Sequence, residues 1–194
     1  MELREFYIIK RYTYALIPML VENGYIFTKV IEGRSVFLVK LRPLQIIRDS
    51  MQYYGHDWEG AKKAAKSVLG SIHMPPVKIS GSLGIYWFPS KSPYAHDCVW
   101  FALDHIQDRL AVAPKETKVF FPSGHHVTVP ISLKQFNSRK HWALELKTTF
   151  EKRTIKESFQ WPYIYQGNLP ILNDPTTLYQ FIDTSKEYNI DDTH

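Results

Sequence analysis

Between Val68 and Val129 the chain is interrupted every few residues by proline or glycine, at Pro75-Pro76, Gly81, Gly84, Pro89 and Pro93. Proline cannot donate to a central ladder, and neither residue extends a helix, so the apolar runs between them can only be short strands. Connections this brief leave no room for crossover helices, and antiparallel pairing is expected over parallel βαβ units. The first 41 residues read the same way. Phe6–Lys10, Tyr12–Leu20, Tyr25–Ile31 and Ser35–Leu41 are rich in β-branched and aromatic residues, with hairpin turns at Glu22-Asn23-Gly24 and Glu32-Gly33-Arg34. A further hairpin is expected where Pro122-Ser123-Gly124-His125 separates Val119–Phe121 from His126–Ile131.

Helical periodicity appears in few places. After Pro43, which suits a first helical position, Leu44, Ile47, Met51 and Tyr54 recur at spacings of three and four up to Gly55. Asp57 can cap a second helix that Gly70 stops. Ser132-Leu133-Lys134-Gln135 has the form of a capping box, opening a long helix whose core face is Leu133, Phe136, Ala143, Leu146 and Phe150. A last short helix is expected after Asp174-Pro175. The fold class that follows is α+β: a mostly antiparallel sheet with two or three packed helices, at about 43–54, 57–67 and 133–152, and the short C-terminal one.

Charge divides the chain. Residues 1–158 hold 23 basic and 14 acidic side chains, a net +9, whereas residues 159–194 carry one lysine against five acids, a net −4. A basic body attracts polyanions. The single cysteine, Cys98, excludes an internal disulfide and suits a reducing compartment. The charged N-terminus is no signal peptide, and no run approaches the ~20 apolar residues of a membrane span. A cytoplasmic location with no membrane partner is the expectation.

Catalytic motifs are absent: the sequence has no GxxxxGK[ST], no strand–GxGxxG–helix and no GxSxG. His96, Cys98 and His105, with His125-His126, are zinc-type residues without zinc-type spacing. Cys98 with His126 has no nucleophile motif behind it, and Asp97, Asp104 and Asp108 are too scattered to indicate a Mg²⁺ site. No enzyme activity, cofactor or metal is expected. The basic clusters say more. Lys40, Arg42, Arg48, Lys62, Lys63 and Lys66 share a 27-residue window holding three acids, and Arg139 and Lys140 lie on the long helix. Lys62, Lys63 and Lys66 group on one side of their helix among the small residues Gly60, Ala61, Ala64 and Ala65, which would let it approach a phosphate backbone. A solvated lysine face is the plainer reading of the same pattern.

Particular segments carry a resemblance. They are Arg42-Pro43-Leu44-Gln45-Ile46-Ile47 with Ser50, Tyr54, Gly55 and Lys62, then Ile72-His73-Met74-Pro75-Pro76-Val77, Tyr86-Trp87-Phe88-Pro89-Ser90 and Trp100. Thr117-Lys118-Val119-Phe120-Phe121-Pro122-Ser123-Gly124, Val129-Pro130-Ile131-Ser132 and Phe136 complete the set. In this order and spacing, residues 38–153 resemble the competence transcription factor (ComK) family. The resemblance implies a transcriptional activator of DNA-uptake genes that binds paired A/T-rich boxes as a homo-oligomer, largely through the minor groove. Narrow, electronegative A/T grooves attract inserted Arg and Lys side chains. Arg42, Arg48, Lys62, Lys63, Lys66, Arg139 and Lys140 are the candidate contacts.

The resemblance also implies an adaptor-guided protease that reads an aromatic-proline peptide near the C-terminus. Phe159, Trp161, Pro162 and Tyr163 are its loose counterpart. The division expected is a basic DNA-binding domain, 1–158, and an acidic regulatory tail, 159–194. An alternative is a protein-interaction module that docks on an adaptor or protease, with weakened DNA binding. Four positions depart from the family pattern. Arg48-Asp49-Ser50-Met51 stands where acid–Arg–Ser–Cys is common, the basic pair near Lys62 is shifted with Ala61 at the basic position and Lys63 at the small one, Met74 replaces a lysine, and Ser123-Gly124 replaces Asn-Gly.

Overall fold

The computed structural model describes residues 1–158. Residues Met1–Arg153 form one compact unit; Thr154–His194 form a second, of which only Thr154–Ser158 are described. In chain order the elements are β1 (Leu3–Arg4), β2 (Thr13–Leu20), β3 (Ile26–Glu32), β4 (Ser35–Val39), α1 (Pro43–Tyr53) and α2 (Trp58–Leu69). Then come β5 (Val77–Ser80), β6 (Ile85–Pro89), β7 (Trp100–Ala102), β8 (Asp108–Ala113), β9 (Glu116–Phe120), β10 (His126–Val129) and α3 (Leu133–Ser158). The fold is α+β. The sheets are antiparallel except where β1 runs parallel to β4. No helix among the described residues is long and apolar enough to cross a membrane.

Seven strands form the larger sheet in the order β1-β4-β3-β2-β7-β6-β5, and a smaller one runs β10-β9-β8. Both faces of the large sheet are covered, so β6 and β7 are buried at every position, which explains their continuous apolar sequences. Alternate side chains serve two cores. Ile85, Trp87, Trp100 and Ala102 pack with Ile46, Ile47, Met51 and Trp58 of α1 and α2. Tyr86, Phe88 and Phe101 pack with Val119 and Phe121 of the small sheet and Phe136 and Ala143 of α3. A bulge between Thr13 and Ala15 places Tyr14 and Ala15 together in this second core.

One strand expected from the sequence is absent. In residues 6–10, Tyr7 and Ile9 are buried with the spacing of a strand, but no ladder forms there. The Ile9 N–H donates to Ser50 Oγ (2.9 Å), and the Ile9 carbonyl accepts from the Tyr54 hydroxyl (3.0 Å). This segment is an extended strap bonded to α1 through side chains, and Leu3–Arg4 takes the edge of the sheet instead. The helix signals hold closely. Pro43 opens α1, and Gly55, at φ 78°, closes it while the His56 N–H reaches the Met51 carbonyl (2.8 Å). The Asp57 carboxylate accepts from the Gly60 N–H (2.8 Å) to cap α2. A Cβ at Gly60 would lie 2.6 Å from that carboxylate, so a larger residue there would push the Asp57 cap aside. At α3 the capping box forms both ways, Gln135 N–H to Ser132 Oγ (3.3 Å) and Ser132 N–H to Gln135 Oε1 (3.1 Å). The short helix expected after Asp174-Pro175 lies outside the described residues.

Candidate nucleic-acid interface

Trp58, the first residue of α2, organises the basic surface. It is 7% exposed and packs edge-on against Trp100 with ring centroids 6.1 Å apart, fixed from below by the sheet. Two cations reach its ring: the Arg48 guanidinium, from α1, lies 5.5 Å from the centroid, and Lys62 Nζ, one turn along α2, lies 5.8 Å away. Each contact holds a mobile side chain over a rigid aromatic face. Lys62 also pairs with Glu59 (2.9 Å), and that hydrogen bond raises its pKa above the ordinary lysine value. Tyr94 is exposed on the loop before β7.

Among the described residues, Arg48 Nε and Trp58 Nε1 are buried and have no hydrogen-bond partner. Both atoms are closed off from solvent, so the part of this cluster open to a ligand is its exposed charge. Arg42 is the N-cap of α1, with extended backbone and no side-chain capping bond, so its guanidinium is not used by the helix. It borders a cleft of about 100 Å³ shared with Ile26, Leu44, Tyr94 and His96. Lys63 and Lys66 are exposed on α2, and no ion pair of either occurs among the described residues. Arg42, Arg48, Lys62, Lys63 and Lys66 thus all belong to the helix pair on one face of the large sheet.

The other two expected contacts sit elsewhere. Arg139 is 7% exposed and lies on the inward face of α3, in phase with Phe136, Ala143 and Leu146. Its Nη1 has no partner among the described residues, and burial lowers its pKa from the ordinary arginine value. Lys140 is half-buried, and burial together with nearby Arg109 lowers its pKa. Arg109 is itself tied to Asn137, Nε to Oδ1 at 2.6 Å. The sequence places 139 and 140 on a helix but does not reveal which side turns inward, because the apolar spacing Phe136–Ala143 leaves the intermediate position open to a long amphipathic residue. The small residues of α2 also face differently than expected. Gly60, Ala61 and Ala64 border a cleft of about 240 Å³ with His56, Lys78 and Phe150.

The remaining candidates do not converge. Among the described residues no three His, Cys, Asp or Glu side chains are grouped to hold a metal. His105 Nε2 lies 2.6 Å from the Arg11 carbonyl and His125 Nε2 lies 3.2 Å from the Arg34 carbonyl. The buried Cys98 thiol points to the Lys91 carbonyl, and burial raises its pKa. Asp97 pairs with Lys91, Asp104 with Lys147, and Asp108 accepts from the Arg109 N–H. Phe159, Trp161, Pro162 and Tyr163 lie outside the described residues. Trp58 is the site residue that sequence reading missed. Its only signal was its position directly after a capping aspartate, with cations four and five residues along.

Comparison with known proteins gives one family. The ComK protein family model matches residues 4–155, a longer stretch than the 38–153 carried by the motifs. The chain is similar to the competence transcription factor of Bacillus subtilis (strain 168), 31% identical over 149 residues that cover 77% of each chain. No solved structure matches.

Proposed function

The chain belongs to the ComK family, and on that premise we propose that it is a competence transcription factor that grips double-stranded DNA with the α1–α2 face of its sheet. The observation that carries this reading is the Arg48–Trp58–Lys62 cluster, two cations from different helices held on one buried indole. Arg48 and Lys62 are ordered before DNA arrives, so less side-chain entropy is lost on binding. Lys63 and Lys66 extend the positive surface along α2, and Arg42 continues it to the start of α1. Lys140 and Arg139 lie on the α3 side and take no direct part in this grip.

The target proposed is A/T-rich promoter boxes, read mainly through the narrow minor groove by homo-oligomers whose symmetry spaces the boxes. Residues 1–158 form the DNA-binding part. Residues 159–194 are the regulatory tail, with Phe159, Trp161, Pro162 and Tyr163 offered to an adaptor or protease. The role is binding and not catalysis. The test is a titration of an A/T-box promoter fragment and a G/C-rich duplex of equal length at one salt concentration. Tighter binding to the A/T fragment is expected. Equal affinity for the two would contradict sequence recognition while leaving the electrostatic grip standing.

A further inference from the structure

We propose that Leu20, at the tip of the β2–β3 hairpin, is an apolar wedge that enters the minor groove beside Arg42 and unstacks a base step, a reading that rests on the DNA grip proposed above. Leu20 ends β2 and is 76% exposed. The tip that carries it is pinned by its own backbone. One short turn, Glu22–Gly24, is closed by the Val21 N–H on the Tyr25 carbonyl (2.9 Å) and the Gly24 N–H on the Val21 carbonyl (3.2 Å). A leucine presented to water on a braced hairpin is placed to be buried in something else.

Strand parity decides which way Leu20 points. Leu16 and Val30 are partners in the β2–β3 ladder, and both pack in the core beneath α1 and α2. Four residues along β2, Leu20 is paired with Ile26 on that same face. Ile26 is half-buried and lines the cleft of about 100 Å³ with Arg42, Tyr94 and His96. The Thr28 hydroxyl, two residues further, donates to the Leu41 carbonyl (2.6 Å) and ties the hairpin to the start of α1. Leu20 therefore stands at the end of the α1–α2 face where Arg42 begins its helix.

The neighbouring charges name the occupant. Arg42 is exposed and forms no ion pair among the described residues, so the apolar tip lies beside an unused guanidinium. Asp97, next to His96 in the chain, is neutralised by Lys91 (2.5 Å). The cations gathered on Trp58 continue the same face. An A/T-rich minor groove takes both parts: its negative potential draws an arginine, and its base steps admit a leucine that unstacks them. Glu22, in the turn beyond Leu20, opposes the phosphates and tempers the approach. Glu22→Gln is accordingly expected to tighten binding.

The experiment uses the full chain and A/T-rich duplexes in which the adenine of one TA step is replaced by 2-aminopurine, whose fluorescence rises when it is unstacked. TA steps are the ones that kink most easily. Wild type is expected to brighten at least one such probe and to bend the duplex by roughly 20–90° in a circular-permutation gel. Leu20→Ala should lose the brightening and most of the bend, and bind about threefold to tenfold more weakly. Leu20→Met keeps a long apolar side chain and should restore all three. Because the position is exposed, both variants should keep the wild-type urea midpoint. A wild type that prefers the A/T duplex but leaves every probe dark overturns the wedge and leaves the α1–α2 grip standing. A Leu20→Ala chain that brightens the probe as wild type does also overturns it; if that variant instead loses self-association in sedimentation equilibrium, the corner belongs to a second copy. A wild type with no preference for the A/T duplex overturns both readings.

Discussion

The large sheet carries a helical layer on one face and a small sheet with α3 on the other, and the two faces treat arginine in opposite ways. On the α1–α2 face Arg48, half-buried with its Nε closed off from solvent, lies over Trp58 with Lys62 beside it. On the α3 face Arg139 occupies a core position between Phe136 and Ala143, and Lys140 is drawn against Arg109. Both faces hold comparable aromatic cores, so hydrophobic burial does not separate them. The difference lies in what surrounds each arginine. Cations stand on rings on both sides, Arg48 and Lys62 at Trp58 and Lys147 at Tyr86, but only the α3 side encloses an arginine among its core residues. A count of basic residues would rank the two helical regions together, whereas their geometry gathers Arg48 and Lys62 on one ring and places Arg139 in the core.

The comparison breaks most easily at its aromatic anchors. Trp58→Ala and Phe136→Ala should each lower stability by about 3–5 kcal/mol in urea unfolding, since each removes a large buried ring. The gentler Trp58→Phe keeps a ring but offers a smaller, weaker face to Arg48 and Lys62. It should cost less than Trp58→Ala in stability and still weaken DNA binding, as read by a fluorescence titration. If Trp58→Phe binds DNA like wild type, the indole face plays no part in holding the cations.

Removing the buried charge should do the reverse. Arg139→Leu is expected to leave stability unchanged or raise it by up to about 1 kcal/mol, because an incompletely partnered guanidinium is exchanged for an apolar group of similar reach. DNA affinity should stay within a factor of two of wild type if that face stands apart from the interface. A loss of several kcal/mol in stability would mean that Arg139 has partners worth more than its desolvation.

Ser132→Ala removes the reciprocal cap of α3 and should cost about 1 kcal/mol, read from the urea midpoint. It too should leave DNA binding intact. The smallest effect is on pH dependence, and it touches both faces. Burial raises the Tyr7 hydroxyl on the helix side far above its usual range, and holds Tyr86 on the other at about 12. Both phenols therefore favour the folded state while neutral. The stability they contribute is complete below about pH 10, where the unfolded phenol is still protonated, and is lost as pH rises through the folded values. A thermal melt from pH 9 to 12 should show a falling midpoint, and Tyr86→Phe should flatten part of that fall. An alkaline slope that Tyr86→Phe does not change would remove Tyr86 from the account.

Much of the architecture was legible in local chemistry. Pro43, Gly55, Asp57, Gly70 and the Ser132–Gln135 box mark their helix ends because capping is settled by residues a few positions apart. Residues 6–10 misled because Tyr7 and Ile9 alternate like strand residues, while the groups that satisfy the backbone, Ser50 and Tyr54, are more than 40 residues away. The site shows the same limit. The cations of α1 and α2 were visible as a cluster, but that Arg48 and Lys62 meet on one indole depends on how the two helices cross the sheet. Arg139 looked like any other basic residue on a helix until the packing of Phe136 and Ala143 fixed the inward direction. The reversed order Arg48-Asp49 also acquires a physical sense: it sets the cation over Trp58 and leaves Asp49 to pair with Gln45 (2.6 Å).

The central claim is that the charges contacting DNA lie on the α1–α2 face. The direct test is the salt dependence of binding to one A/T-rich duplex, measured for wild type, for Arg48→Ala with Lys62→Ala, and for Lys140→Ala. The account predicts that the first variant loses affinity and that its slope of log K against log salt becomes shallower by about 1.8, close to 0.9 for each lost phosphate contact, while Lys140→Ala matches wild type. An unchanged slope for Arg48→Ala with Lys62→Ala, or a shallower one for Lys140→Ala alone, would place the interface on the other face and contradict it.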